Sequence, residues 1–250
     1  MFGKISQLFK SKEEALEPVD LSVLHTDVHS HFIPGIDDGS PDMDTSMELI
    51  NGMIGHGSKK VITTPHVMSD MYRNTPEIIN RGCDDLRAAL AKANIDVELE
   101  CAAEYYLDQD LKQKVKRKEV LTFGDNYLLF ELPFTMEPPI MSEVVFEMQL
   151  SGYRPVLAHP ERYGFWHHDF EQYQSMVDKG VILQLNINSI TGHYGPEVKR
   201  IAERLIDGEM IRMLGSDCHH IGHIEIMHQA KTSAHIHTLV QSGKLINPAL

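Results

Sequence analysis

A chain of 250 residues with 42% hydrophobic composition is long enough for one large domain with a buried core. Its formal charge of −13 argues against nucleic acid or an anionic membrane as the default partner, although bound cations can invert an acidic field locally. Three cysteines, Cys83, Cys101 and Cys218, are too few for a disulfide framework and lack CxxC spacing, which points to a reducing cytoplasm. Cys101 and Cys218 read as small core residues, and no cysteine precedes an arginine by the six positions that a Cys-dependent phosphatase loop needs. No apolar run approaches a membrane span, and no signal peptide is evident.

Residues 1–20 stand apart. Phe2, Ile5, Leu8 and Phe9 form a helical stripe among Lys4, Lys10 and Lys12, which predicts a short amphipathic helix that caps the domain or touches a membrane surface. Residues 13–18 read as a linker into a single domain over 21–250. There, apolar runs predict strands near 23–29, 60–64, 96–102, 127–131, 155–159, 181–187 and 211–216. Helical patterns fall near 42–56, 75–93, 108–118, 138–151, 169–179, 196–207 and 224–242. Pro41, Pro76 and Pro196 sit where a first helical turn tolerates proline, and Gly152, Gly180 and Gly208 follow helix ends. Sevenfold strand–helix alternation predicts an α/β fold with parallel strands and outer helices, a distorted (β/α)7 barrel, with an open doubly wound sheet as the alternative.

The polar residues then fall into a pattern. His29 and His31 lie two apart on the first strand and project together, and the turn Asp37-Asp38-Gly39 brings carboxylates back toward them. His66, Glu104, Glu131, His159, and the pair Asp217 and His219 end or follow later strands, so six of seven predicted strands end in a metal-ligand residue type. In barrel enzymes that rim carries the chemistry. Gln184, Asn186 and Asn188 alternate along the sixth strand and, pointing inward, would hold substrate or a water behind the ligands; packed amides are the alternative.

Five histidines and four carboxylates exceed what one zinc-like centre needs, which suggests two or three divalent metals sharing carboxylates. Three dications, these carboxylates and a bridging hydroxide would net about +1, which favours a phosphate ester over a neutral amide. Such a hydroxide is a nucleophile at neutral pH, so no side-chain nucleophile is required. Arg162, in His159-Pro160-Glu161-Arg162-Tyr163, would fork onto phosphate oxygens, or else pair with Glu161 or another acid. Arg73 lies on the loop after the second strand and could also face the site. The longest candidate lids, 67–75 and 188–196, are modest, which suits an open site for a protein tail.

At these residues the chain resembles the PHP (polymerase and histidinol phosphatase) superfamily, and within it the bacterial manganese-dependent protein-tyrosine phosphatases that accompany capsule or exopolysaccharide tyrosine kinases. The matching pieces are DVHSHFIPGIDDG at 27–39, TPH at 64–66, AAEYY at 102–106, FELP at 130–133, LAHPERY at 157–163 and SDCHH at 216–220. The resemblance implies a trinuclear site, with Mn favoured over Fe, Zn or Co, and hydrolysis of phosphotyrosine on a bacterial tyrosine-kinase tail. It implies His29, His31, Asp38, His66, Glu104, Glu131, His159, Asp217 and His219 as metal ligands. Arg162 matches the phosphate-contacting arginine and, with Asp217 and His219, is expected to act in catalysis, while Arg162, Arg73 and Asn188 are the candidate substrate contacts. Val67 departs from the second histidine of many relatives, and Ala102-Ala103 replace a Gly-containing turn. The competing readings are a PHP-type small-molecule phosphatase, such as a histidinol-phosphate phosphatase, and a non-catalytic metal-binding domain.

Overall fold

The computed structural model describes residues 16–250, so the stripe from Phe2 to Phe9 and the first part of the linker lie outside the described residues. Residues 16–20 have no regular secondary structure, and Val19 packs into the core, its N–H donating to the Lys231 carbonyl. The first strand is shorter than its apolar run predicts. Asp20 caps Ser22 and winds Leu21–Leu24 into a 3-10 turn, leaving β1 as Thr26–Asp27. The chain nevertheless stays paired beyond β1, where Ser30 bridges Cys218 in parallel.

Two further strands are interrupted. β2 (Lys60–Thr63) breaks at Thr64-Pro65 and resumes as β3 (His66–Val67), because proline has no N–H for a ladder. β4 (Glu98–Cys101) breaks at Ala102-Ala103, both fully buried, and resumes as β5 (Glu104–Tyr106). β6 (Tyr127–Glu131), β7 (Arg154–Ala158), β8 (Ile182–Asn186) and β9 (Ile211–Gly215) run unbroken. All ladders between these strands are parallel, in the orders β1-β2-β4 and β3-β5-β6-β7-β8-β9. Joined through the two interrupted strands and the Ser30–Cys218 bridge, they form the distorted (β/α)7 barrel expected from the alternation.

The connecting helices are α1 (Met43–Gly55), α2 (Pro76–Lys92), α3 (Gln109–Arg117), α4 (Met141–Leu150), α5 (Glu171–Asp178) and α6 (Pro196–Asp207). The last predicted helix is two, α7 (Ile221–Ala230) and α8 (Ala234–Gln241), with Ser233 as the N-cap residue of the second. Pro76 and Pro196 open their helices, whereas α1 starts after Pro41 because Asp42 caps Thr45. Among the described residues, no helix is long and apolar enough to cross a membrane.

Strand alternation separates two apolar clusters. Leu128, Phe130 and Leu157 face the helices, while Val28, Ile62, Leu129, Val156, Ala158 and Met213 fill the barrel interior. Glu131 lies two residues beyond Leu129, so the same alternation carries its carboxylate to the interior rim. One expectation needs correcting: Cys83 on α2 and Cys101 on β4, with Cα atoms 6.2 Å apart, form a disulfide. Pairing across two elements leaves no CxxC signal, so counting cysteines gives no argument for a reducing compartment. Cys218 is free and buried.

Candidate metal centre

The donors meet at the C-terminal ends of the strands. His29 aims Nε2 at the centre, 3.2 Å from Glu104 Oε2 and 3.4 Å from Asp217 Oδ1. Its Nδ1–H donates to Gln184 Oε1 at 2.8 Å, which fixes the ring and leaves Nε2 as the free donor. His31 is held likewise: Nδ1–H donates to Asp37 Oδ2 at 2.8 Å, and Nε2 lies 3.5 Å from Glu104 Oε2 and Asp217 Oδ1. Asp37 is itself fixed by the N–H groups of Gly39 and His66. Of the adjacent carboxylates, Asp37 therefore orients a ring from behind, and Asp38 faces the open side, 3.5 Å from His66 Nε2 and 3.6 Å from His219 Nε2.

Two glycines permit this closeness. A β-carbon on Gly39 would collide with the His31 carbonyl, and one on Gly215 would lie 2.8 Å from His29 Cβ and 2.6 Å from Gln184 Nε2. His159 and Asp217 reach the centre from left-handed backbone, at φ 34° and 50°, a strained conformation for residues with side chains. His159 Nε2 is 3.1 Å from Glu104 Oε1, and His66 Nδ1 is 3.1 Å from Glu104 Oε2 and 3.2 Å from Glu131 Oε1.

All nine residues singled out from the sequence meet here, in four overlapping groups whose donor atoms lie within 4.8 Å of one another. His29, His31, His66 and Glu104 each belong to two groups, so Glu104 stands between several possible cations. The donor set is neutral imidazole and carboxylate without thiolate, which suits a hydrolytic divalent metal. Glu104 Oε2, Glu131 Oε1 and His66 Nδ1 are buried yet make no hydrogen bond, although they are within reach of one another. Such orphaned atoms are costly unless something binds them.

The electrostatics agree. Burial opposes charging of His29, but Glu104 and Asp217 push its pKa up to about 9. Burial likewise opposes charging of His31 and His66, and neighbouring carboxylates raise both. In turn, burial would raise the Glu104 and Asp217 carboxyls, but His29 and its neighbours hold both well below the usual range. Protons on the imidazoles thus balance the carboxylates in the absence of metal, and cations would take their place.

Above this floor opens a cavity of about 450 Å³. Asp38, His66, Glu131, His159, Asp217 and His219 line its base, and Met68, Met71, Tyr72, Phe134 and Tyr194 its rim. Segments 67–75 and 188–196 therefore both contribute, through Tyr72 and Tyr194 among others. Arg162 also lines the cavity, with Nη1 donating to Asp217 Oδ2 at 3.0 Å and its Cζ stacked between Phe134 (4.7 Å) and Tyr194 (4.5 Å). The expected alternative partner, Glu161, faces away. It is fully buried and accepts the Ser189 hydroxyl and the Asn186 N–H.

The inward amides divide. Gln184 braces His29, and Asn186 Nδ2 donates to Asp217 Oδ2 at 2.6 Å. Asn188 lies beyond the end of β8 in a 3-10 turn, where its Nδ2 donates to the His223 carbonyl, so it does not line the cavity. Arg73 does not line it either: it is exposed and its Nε donates to the Ser69 carbonyl. The sequence places Asp37 near the imidazoles without showing that it braces His31, and it gives no sign of Phe134 or Tyr194. Asp37 was detectable as the twin of Asp38, whereas the aromatic residues sit on loops with no periodic pattern.

The profile of the family described as capsular polysaccharide synthesis, CpsB/CapC, matches residues 25–237. Tyrosine-protein phosphatase YwqE of Bacillus subtilis is 30% identical over 196 residues, covering 78% of this chain and 77% of that protein. Tyrosine-protein phosphatase CpsB of Streptococcus pneumoniae is 23% identical over 201 residues, covering 78% and 83% respectively. A crystal structure from work on YwqE and CpsB, described as unique metal-dependent tyrosine phosphatases, superposes with a TM-score of 0.79 at 27% identity, covering 90% of each chain. The zinc-containing histidinol phosphate phosphatase of Lactococcus lactis, at a TM-score of 0.53 and 13% identity, shares the fold alone. With the family profile spanning the barrel from its first strand to its last helix, this chain belongs to the CpsB/CapC family of capsular polysaccharide synthesis proteins.

Proposed function

We propose that this protein is a metal-dependent protein-tyrosine phosphatase acting on a phosphotyrosine protein, the tail of a bacterial tyrosine kinase in polysaccharide synthesis. The observation that carries the reading is the floor of nine donors with an arginine at its edge, open to a wide cavity. Two or three divalent ions, Mn²⁺ before Fe, Zn or Co, fit the overlapping groups. When bound, they supply an activated water and draw charge from phosphoryl oxygens.

The chain's own residues do the rest. His29, His31, Asp38, His66, Glu104, Glu131, His159, Asp217 and His219 hold the ions, with Gln184 and Asp37 fixing two of the imidazoles. Among the described residues, Arg162 spends one hydrogen bond on Asp217, so its other guanidinium donors are free to fork onto phosphate oxygens. Asp217 thus adjoins both the ions and the phosphate-binding arginine, and His219 stands beside it, Nδ1 3.4 Å from Asp217 Oδ1. Buried Cys218, its thiol pushed well up by burial, is no nucleophile. A cytoplasmic site of action fits a kinase tail phosphorylated from ATP.

The test is hydrolysis of a phosphotyrosine peptide against histidinol phosphate, on chelator-stripped protein with and without restored Mn²⁺. Peptide turnover that requires metal and survives thiol alkylation is expected. Preference for histidinol phosphate would move the protein to metabolite chemistry, and absence of both activities would leave a metal-binding domain.

A further inference from the structure

The rim of the cavity carries aromatic surface that the chemistry of the floor does not need. Phe134, from the loop after β6, is 47% exposed and stacks on the His159 ring at 5.7 Å with 23° between planes. Tyr72, from the loop after β3, stacks on the His66 ring at 5.6 Å and 12°. Those two imidazoles approach opposite oxygens of one carboxylate: His159 Nε2 is 3.1 Å from Glu104 Oε1, and His66 Nδ1 is 3.1 Å from Glu104 Oε2. Two apolar rings therefore stand over two donor rings that converge on the same group, forming a collar around a charged base. Exposed aromatic surface beside a polar pocket contributes little to folding and suits a ligand with an anionic head and a flat apolar body.

We infer that Phe134 and Tyr72 are specificity residues that select aryl over alkyl phosphates by receiving the phenyl ring while the phosphate reaches the floor. This rests on the phosphatase reading of the floor. In phosphotyrosine a ring separates the phosphate from the backbone, and that ring comes to lie at the height of the collar. Phosphoserine has a single methylene there, so its phosphate can reach the floor only by leaving the collar wet or drawing peptide backbone into it. Phe134 has a second contact, since the Arg162 Cζ lies 4.7 Å over its ring. Loss of the Phe134 ring alone would also loosen the phosphate-binding arginine, and a ringless ligand separates the two effects. Tyr72 stacks on His66, whereas Arg162 lies over Phe134 and Tyr194, so Tyr72 gives an independent second variant.

The experiment is calorimetric binding of phenylphosphonate and methylphosphonate to the full-length Mn²⁺-loaded protein and its variants. The wild-type protein is expected to favour phenylphosphonate by about tenfold. Phe134→Leu and Tyr72→Leu should each cut that preference about threefold or more through weaker phenylphosphonate binding, and Phe134→Tyr should retain it. An unchanged preference in both leucine variants, or equal losses for the two phosphonates, would overturn the collar. Wild-type protein that hydrolyses phosphotyrosine peptide yet binds both phosphonates equally would overturn the collar alone. Failure to bind either phosphonate would overturn the phosphatase reading together with it.

Discussion

The floor and the rim of the cavity are built by different means. Apart from Asp38, which comes from an exposed turn, floor residues project from strand ends or the residues just beyond them, are mostly buried, and are braced from behind by Gln184, Asp37 and Asn186. Rim residues sit on connecting loops and are partly exposed, and their rings rest on the floor by stacking, as Tyr72 does on His66 and Phe134 on His159. A strand end fixes a side chain to the precision of a hydrogen-bond ladder, and a loop does not. The contrast suggests a division of labour in which the floor sets whether reaction happens and the rim sets on what.

The sharpest way to break that division is to remove a floor donor. His29→Ala or Asp217→Ala is expected to lower phosphotyrosine-peptide kcat by about three orders of magnitude or more, with circular dichroism and metal content recorded alongside. Near-wild-type turnover in either folded variant would sink the metal-centre assignment. Arg162→Ala, at the boundary of floor and rim, should lose about a hundredfold in kcat/KM and most inhibition by inorganic phosphate. Unchanged phosphate inhibition would remove that arginine from the site.

The bracing of the floor is tested by Asp37→Asn, which keeps shape but weakens the hold on His31. About tenfold or greater loss of Mn²⁺ affinity is expected by calorimetry, with little change in Tm of the metal-free protein. Metal affinity should also depend on pH. Although burial opposes its charge, His29 stays protonated up to about 9 in the metal-free site, held by Glu104 and Asp217. Binding must expel that proton, so affinity should rise with pH up to that value and fall below it by about tenfold per unit for each proton released. Titrations in buffers of different ionisation enthalpy count the protons, and a pH-independent affinity would mean that the rings are already neutral. The smallest effect belongs outside both regions: Arg73→Ala should change peptide kinetics by no more than about twofold. A larger loss would extend the substrate path into the groove where Arg73 lies beside Met68 and Lys114.

The sequence disclosed the floor far better than the rim, and the reason is periodicity. Alternation along Tyr127-Leu128-Leu129-Phe130-Glu131 points Glu131 inward with Leu129, and the same logic finds His159 and Asp217 at strand ends. It fails where chain direction depends on contacts remote in sequence. The apolar run at 23–29 reads as a strand, yet the Asp20 cap winds its start into a 3-10 turn. Asp37 and Asp38 are chemically identical, and the His31 ring with the N–H groups of Gly39 and His66 holds Asp37 turned away from the cavity. Asn188 continues the alternation of Gln184 and Asn186 on paper, but the strand has ended by then. Cys83 and Cys101 meet only because α2 packs beside β4.

The closure between β1 and β9 ties the centre to the completion of the barrel. Asp27 accepts the N–H and hydroxyl of Ser216, the Asp217 N–H donates to the His29 carbonyl, and Ser30 pairs with Cys218. Donors far apart in sequence thus become neighbours only when β9 docks on β1. A chain cut before Asp217 keeps His29, His31 and Glu104 but lacks Asp217 and His219, so it can gather only a partial set of donors. On the phosphatase reading, activity is therefore expected only once the barrel closes, and a chain truncated before β9 is expected to be inactive.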